Sequence, residues 1–478
     1  MAAAAVSPPT AAVADARAAF HLAPVLLDEP PDIDADGLGT SAYLAPHAQS
    51  IGSASLELDT AGLTPQAIAL QLKAGGRAPR QPTEPRPSMS ATTIVVYTPA
   101  QIRAAYEMPA LPSAATGLSA AQAAGLGSGQ TIYLVDAFDN PNVAADLATF
   151  NATFGLPGCT IAPITPTTKL PLAAPAAGCT LSVAYVGSNA LPSASPPSYD
   201  AGWATEIAID VQWAHATAPL ARIVLLEAQG AGVAQLADAV KLAAWMGPGV
   251  VSMSFGASEG PWMSSYESLF TSARNAFVAS AGDSGAGVCW PSVLPSVLAV
   301  GGTTLAYTGG ASRSETVWSR TGGGLSAFEA EPKYQKAVLV PGDPNGARSA
   351  RAMRGVADVA FNADPSSGQY IVVTTPGAAT AGWYSAGGTS LGAPQWAGML
   401  AIASALRNLA GKTPLSVAQA PLYEDIAAVK GLYEGAFLDV TVGSDGSCAI
   451  CRAGPGYDLP TGLGTPNTTD LLGLLAAY

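Results

Sequence analysis

From about residue 93 onward, apolar residues fall in short, nearly unbroken runs separated by longer stretches in which they recur every three or four positions. The runs Thr131–Val135, Arg222–Glu227, Val250–Phe255, Phe277–Ser280 and Val297–Val300 read as strands. Glu206–Ala218, Val233–Met246 and Trp262–Ala276 read as helices, and a further helix is expected to start near Asn142. Near-continuous apolar strands alternating with amphipathic helices predict an α/β fold, a doubly wound, mostly parallel sheet with helices on both faces. In such sheets ligands bind beyond the carboxyl ends of the strands.

Residues 1–94 are patterned differently. They are rich in Ala and Pro, with one strand-like alternation at Ser53–Asp59, a helix expected from Thr64 to Lys73 and a linker by composition at 78–87. The expectation is therefore a short N-terminal segment followed by one large domain over 95–478. With 478 residues, 49% of them hydrophobic, the chain can bury a sizeable core. Lys and Arg number 21 against 34 Asp and Glu, a net charge of −13, which argues against nucleic acid or an anionic membrane as partner. Carboxylates take up protons near about pH 4, so a chain of this balance sheds charge in acid. No apolar run reaches the roughly 18 to 20 residues that span a bilayer, and no secretory signal is visible at the start. Five cysteines fall as two local pairs, Cys159 with Cys179 and Cys448 with Cys451, plus Cys289; two disulfides and one thiol are expected, with half a metal site as the alternative for the second pair.

Three segments carry candidate chemistry. Small residues from Gly382 lead into Ser390, after which an apolar segment runs to Leu409 with Pro394 as its only breaker, placed by this reading in the first turn of a buried helix. Ser390 would then lie at the positive end of the helix dipole, as a nucleophile or as an ordinary cap. Glu206 and Asp210 are four residues apart on an apolar helix, so they share a face; two carboxylates held there raise the affinity of one of them for a proton. Asp283 follows a strand among glycines, either as an Asx turn or as a hydrogen-bond donor when protonated. The histidines are His21, His47 and His215, and the last is nine residues beyond Glu206. At about 100° per residue that turns it to the opposite side of the helix, so a Ser-His-Asp triad is hard to assemble.

Taken in chain order, Glu206-x-x-x-Asp210, Ser280–Gly285 and Gly388–Pro394 resemble the signature segments of the sedolisins, the serine-carboxyl peptidases, with further matches at Val135–Asn142, Ala299–Thr303, Gly322–Ser326 and Arg354–Val359. The resemblance covers about 95–478 and implies a subtilisin-like fold and acid-acting hydrolysis of peptide bonds, by endopeptidase or tripeptidyl peptidase action. It implies Ser390 as nucleophile, Glu206 as base, Asp210 as its partner and Asp283 as protonated oxyanion donor. Ser254 and Gly256, in Ser252–Gly256, are expected to line the cleft and pair with an extended peptide. One Ca²⁺ is implied, held by Asp439, Asp458 and the carbonyls of Val440, Gly454 and Gly456. Peptide or protein substrates, a monomer, and an extracellular or other oxidising, acidic compartment complete the expectation. Residues 1–94 are shorter than the family's prodomain, and a catalytically silent peptide-binding relative is the alternative function.

Overall fold

A computed structural model describes residues 17–18, 25–27, 31, 47–51, 92–111, 117–309, 313–338 and 352–478. The five expected strands form, as β1 (Thr131–Ala137), β3 (Arg222–Ala228), β4 (Gly249–Met253), β6 (Asn275–Ser280) and β7 (Val297–Ala306), and the structure adds β2 (Thr180–Val186), β5 (Phe255–Ser258) and β8 (Val359–Asn362). All but β5 lie side by side in the order β2-β3-β1-β4-β6-β7-β8, and every pairing along that path is parallel. Alternate residues of each strand enter different layers. Ile132 and Leu134 of β1 pack with helices α1 (Val143–Phe154), α2 (Ala201–Thr217) and α4 (Thr389–Leu409), whereas Tyr133 and Val135 pack with α3 (Val233–Met246). The chain is thus a doubly wound parallel sheet covered on both faces.

The helix α2 is buried from Gly202 to Thr217. It lies between the sheet and a second, smaller sheet, to which Gln212 and Trp213 donate hydrogen bonds at the carbonyls of Val372 (2.7 Å) and Tyr370 (3.0 Å). That sheet contains β9 (Ser367–Val373) and β10 (Gly382–Ala386), paired antiparallel. Helices α2 and α4 meet so closely that a Cβ on Gly398 would come within 2.7 Å of the Thr217 methyl. Glycine at that point allows the two helices to approach.

One expected helix is absent. Residues Trp262–Ala276 form two tight 3₁₀ turns, Pro261–Ser265 and Glu267–Phe270, before β6 begins at Asn275. The aromatic residues that suggested helical spacing, Trp262, Tyr266 and Phe270, instead gather around the buried ring of Trp290, with centroids 5.5 to 6.2 Å away. Packing on one large ring from a short segment outweighs local helix propensity there. The expected strand at Ser53–Asp59, the helix at Thr64–Lys73 and the linker at 78–87 lie outside the described residues.

Parts of the N-terminal segment pair with the body. Val25–Leu26 pairs antiparallel with Tyr384 and Ser385 of β10. Arg17–Ala18 pairs antiparallel with Phe255 and Gly256 of β5. Both expected disulfides form, Cys159–Cys179 and Cys448–Cys451, leaving Cys289 as a thiol. Among the described residues no helix is long and apolar enough to cross a membrane.

Candidate active site

Ser390 is the second residue of α4, and its approach is built by glycines. Gly388 has φ 104°, a conformation that favours glycine, and a Cβ on Gly387 would lie 2.5 Å from the Pro365 nitrogen. Pro394 departs from expectation: α4 starts at Thr389, so the proline sits in the second turn, inside the helix. A proline there leaves the carbonyl four residues earlier without its usual helical donor, and that carbonyl belongs to Ser390. The Ser254 hydroxyl reaches it at 3.5 Å while donating a shorter bond of 2.7 Å to Asp210 Oδ1. Ser254 therefore ties the Ser390 turn to the carboxylate of α2, and its side chain is fully buried.

Four carboxyl groups from three parts of the chain converge on this turn. Glu206 and Asp210 come from α2, Asp283 from the loop after β6, and Asp136 from near the end of β1; all four are fully buried. Burial, then the Asp210 charge, push the Glu206 pKa well above the ordinary carboxylate range, with smaller contributions in the same direction from Asp136 and Asp283. The nearby Ser390 hydroxyl opposes this by stabilising the charged form. No hydrogen bond of normal geometry closes between them, and among the described residues neither Ser390 Oγ nor either oxygen of Glu206 has another partner. Burial raises Asp210 to about 8 despite the hydrogen bond from Ser254. Asp136 is raised by burial and then by Asp210, and both of its oxygens lack a hydrogen-bond partner. Carboxyl groups held this closely in a dry site share protons, because two adjacent buried charges repel.

Asp283 faces the first turn of α4. Its Oδ1 accepts from the Thr389 amide (2.8 Å) and the Thr389 hydroxyl (2.6 Å), and that hydroxyl in turn accepts from the Gly282 amide at 3.1 Å. Gly256 lies on the edge of β5, where a Cβ would come within 2.8 Å of Cys289 Sγ. Its antiparallel partner is Arg17. An extended segment thus already occupies the backbone edge at which peptide pairing was expected. His215 is turned away, as its position on α2 required; its Nε2 donates to the Pro157 carbonyl at 2.8 Å.

The chain pattern did not place Asp136 with Glu206 and Asp210. The available signal was a carboxylate near the carboxyl end of a central strand, where ligands bind in such sheets; its nearness to α2 follows only from the packing.

The C-terminal loops bring Asp439 and Asp458 together with Gly454 and Gly456. Asp439 Oδ2 accepts from the Gly456 amide (2.9 Å), and Asp458 Oδ2 from the Gly454 amide (3.0 Å). Asp458 Oδ1 takes the amide and hydroxyl of Thr461, both at 2.8 Å. Asp439 Oδ1 is buried and makes no hydrogen bond of normal geometry among the described residues, although the Tyr433 hydroxyl lies near this carboxylate. Oxygen donors from two carboxylates and neighbouring carbonyls, one of them a buried carboxylate oxygen without a regular hydrogen bond, suit a hard cation such as calcium. These loops also touch the Asp283 loop, since the Asp445 carbonyl accepts from the Ala286 amide at 2.9 Å.

The profile of the subtilase family matches residues 201–424, a span that includes Glu206, Asp210, Asp283 and Ser390. Kumamolisin of Bacillus sp. (strain MN-32) is 33% identical over 314 residues, 60% of this chain and 52% of that protein. Sedolisin of Pseudomonas sp. (strain 101) is 33% identical over 190 residues, 37% of this chain and 28% of its own. Over these spans the chain is similar to the sedolisins. Human tripeptidyl-peptidase 1 is 31% identical over 258 residues, 47% of this chain and 43% of that protein. The chain therefore spans about half the length, or less, of these relatives. The solved structure of Pseudomonas sedolisin, a serine-carboxyl proteinase complexed with pseudo-iodotyrostatin, superposes with a TM-score of 0.59 at 23% identity. It covers 81% of this chain and 100% of that one, and the likeness establishes the subtilisin-like fold.

Proposed function

We propose that this chain is an acid-acting serine-carboxyl peptidase of the sedolisin family. The observation that carries the reading is the Ser390 hydroxyl at the start of a buried helix beside Glu206, within a cluster of carboxyl groups from which His215 is turned away. Ser390 Oγ attacks the peptide carbonyl carbon as Glu206 takes its proton, Asp283 in its protonated form donates to the oxyanion, and Glu206 passes the proton to the departing amine. Water then attacks the acyl-enzyme, giving its proton to Glu206, and Ser390 is restored. Asp210, fixed by Ser254, is the partner carboxyl of Glu206, and its charge, with that of Asp136, raises the affinity of Glu206 for the proton. With Oδ1 of Asp283 engaged by Thr389, the proton for the oxyanion belongs on Oδ2.

The substrate is an extended peptide or protein segment that adds as a strand to the edge of Phe255–Ser258, and the pairing with Arg17–Ala18 supports an antiparallel approach. The experiment is casein digestion across the acid range, starting at about pH 4. Digestion that peaks below neutral supports the assignment, and a folded protein that binds peptides without cleaving them at any pH supports the silent relative instead.

One calcium ion would be held by Asp439, Asp458 and the carbonyls of Val440, Gly454 and Gly456, and would balance the charge of the two carboxylates. Saturation to about 100 times Kd stabilises a folded chain by about 2.7 kcal/mol. Chelation is therefore expected to lower the unfolding midpoint by roughly 3 °C, as read by calorimetry with and without EDTA. Asp439→Ala should remove that difference. Both disulfides suit an oxidising compartment, extracellular or lysosome-like.

A further inference from the structure

The Cys159–Cys179 disulfide lies against His215 in an arrangement that a disulfide satisfies poorly. Cys159 and Cys179 immediately precede the parallel strands Thr160–Ile161 and β2, which register Thr160 with Thr180. His215 comes from the last turn of α2 and is fully buried. One ligand atom from each of the three residues lies within 4.8 Å of the other two. A backbone carbonyl can only accept, so the 2.8 Å bond to Pro157 fixes the proton on Nε2. Nδ1 is then an acceptor, aimed at Cys159 Sγ at 3.4 Å. A disulfide sulfur has no hydrogen to give, which leaves a basic nitrogen buried without a donor.

We propose that Cys159, Cys179 and His215 form a thiol-gated site for a soft or borderline divalent metal of the Zn²⁺ class, closed by the disulfide and opened by its reduction. A dithiol reductant transfers two electrons and two protons, leaves as its own disulfide, and frees both thiols. Metal binding then releases the two thiol protons and places two thiolates and Nδ1 on the ion, with water as the fourth ligand. The Nε2–H bond to a backbone carbonyl is the outer-shell contact that orients a metal-bound histidine. The site is separate from the carboxyl cluster, although α2 carries both.

The probe is Co²⁺, titrated into full-length protein before and after reduction by a phosphine that leaves the fold intact by circular dichroism. The expected result is one equivalent bound with sulfur-to-cobalt charge-transfer and tetrahedral bands only in the reduced protein. The bands should persist in Cys448→Ser/Cys451→Ser and vanish in His215→Ala, where the loss of a direct ligand should weaken binding beyond the ~10- to 100-fold typical of an outer-shell partner. If His215→Ala misfolds, ¹⁵N NMR of the wild type decides: zinc should shift His215 Nδ1 and leave Nε2 protonated. Failure of the reduced, folded protein to take up Co²⁺, bands that need Cys448 and Cys451, or an unmoved Nδ1 would each overturn the assignment.

Discussion

Ser390→Ala is expected to lower kcat for casein or peptide hydrolysis by about 10⁶-fold, the scale on which removal of the serine acts in a subtilisin-type site. Glu206→Gln keeps the shape of the side chain and removes the base, and should cost at least ~10³-fold. The two groups act on one proton, so the double variant should be no slower than the worse single variant. Both variants should unfold near the wild-type midpoint, because Ser390→Ala removes a buried hydroxyl that makes no regular hydrogen bond and Glu206→Gln exchanges a carboxyl for an amide of the same shape. Glu206→Gln should also be somewhat more stable at neutral pH, where the wild type must hold a buried charge or an abstracted proton. Steady-state kinetics and thermal melts check both statements. A Glu206→Gln enzyme with near-normal kcat, or single-variant losses that multiply in the double variant, would sink the assignment of Glu206 as base.

The stability of the folded chain is expected to fall as pH rises from about 4 to about 8. Asp210 is raised from an ordinary 3.8 to about 8, and Glu206, Asp136 and Glu227 are raised in the same direction, each chiefly by burial. Between its unfolded and folded values such a carboxyl carries a proton in the native state that the unfolded chain has released. Raising pH therefore favours unfolding, by ~1.4 kcal/mol per pH unit for each such proton. His215 works in the opposite sense: lowered from 6.5 to about 4, it withholds a proton that the unfolded chain would bind, so its contribution is lost as pH falls through that window. One histidine against four carboxyls leaves the acid side favoured. Urea midpoints at fixed calcium should decline from acid to weakly alkaline pH, and Asp136→Asn should flatten the slope. Midpoints that rise with pH would show that the cluster ionises without penalty.

The same burial explains what was legible beforehand. The apolar runs at Thr131–Val135 and Arg222–Glu227 lie on central strands covered on both faces, so their local pattern is nearly the whole of their structure. The Glu206 and Asp210 spacing was equally readable, since four residues on a helix fix a shared face. The segment at Trp262 was not, because one ring of another segment, Trp290, decides how its aromatics are used. Pro394 misled for a similar reason: the helix begins earlier than its breaker suggests, and the Ser390 carbonyl left without its helical donor faces the Ser254 hydroxyl, 136 residues away, at 3.5 Å.

From the chain alone one could read a serine in a glycine-rich turn, two carboxyl groups sharing a helix face with the nearest histidine on the opposite side, and strands and helices in α/β order. Only the tertiary structure decided that Asp136, 70 residues before Glu206 in the chain, joins the cluster, and that the N-terminal Arg17–Ala18 lies on the edge of β5. Periodicity reports the environment of one element at a time. The order in which strands assemble, and the exclusion of water that makes neighbouring carboxyls hold protons, belong to the packed whole.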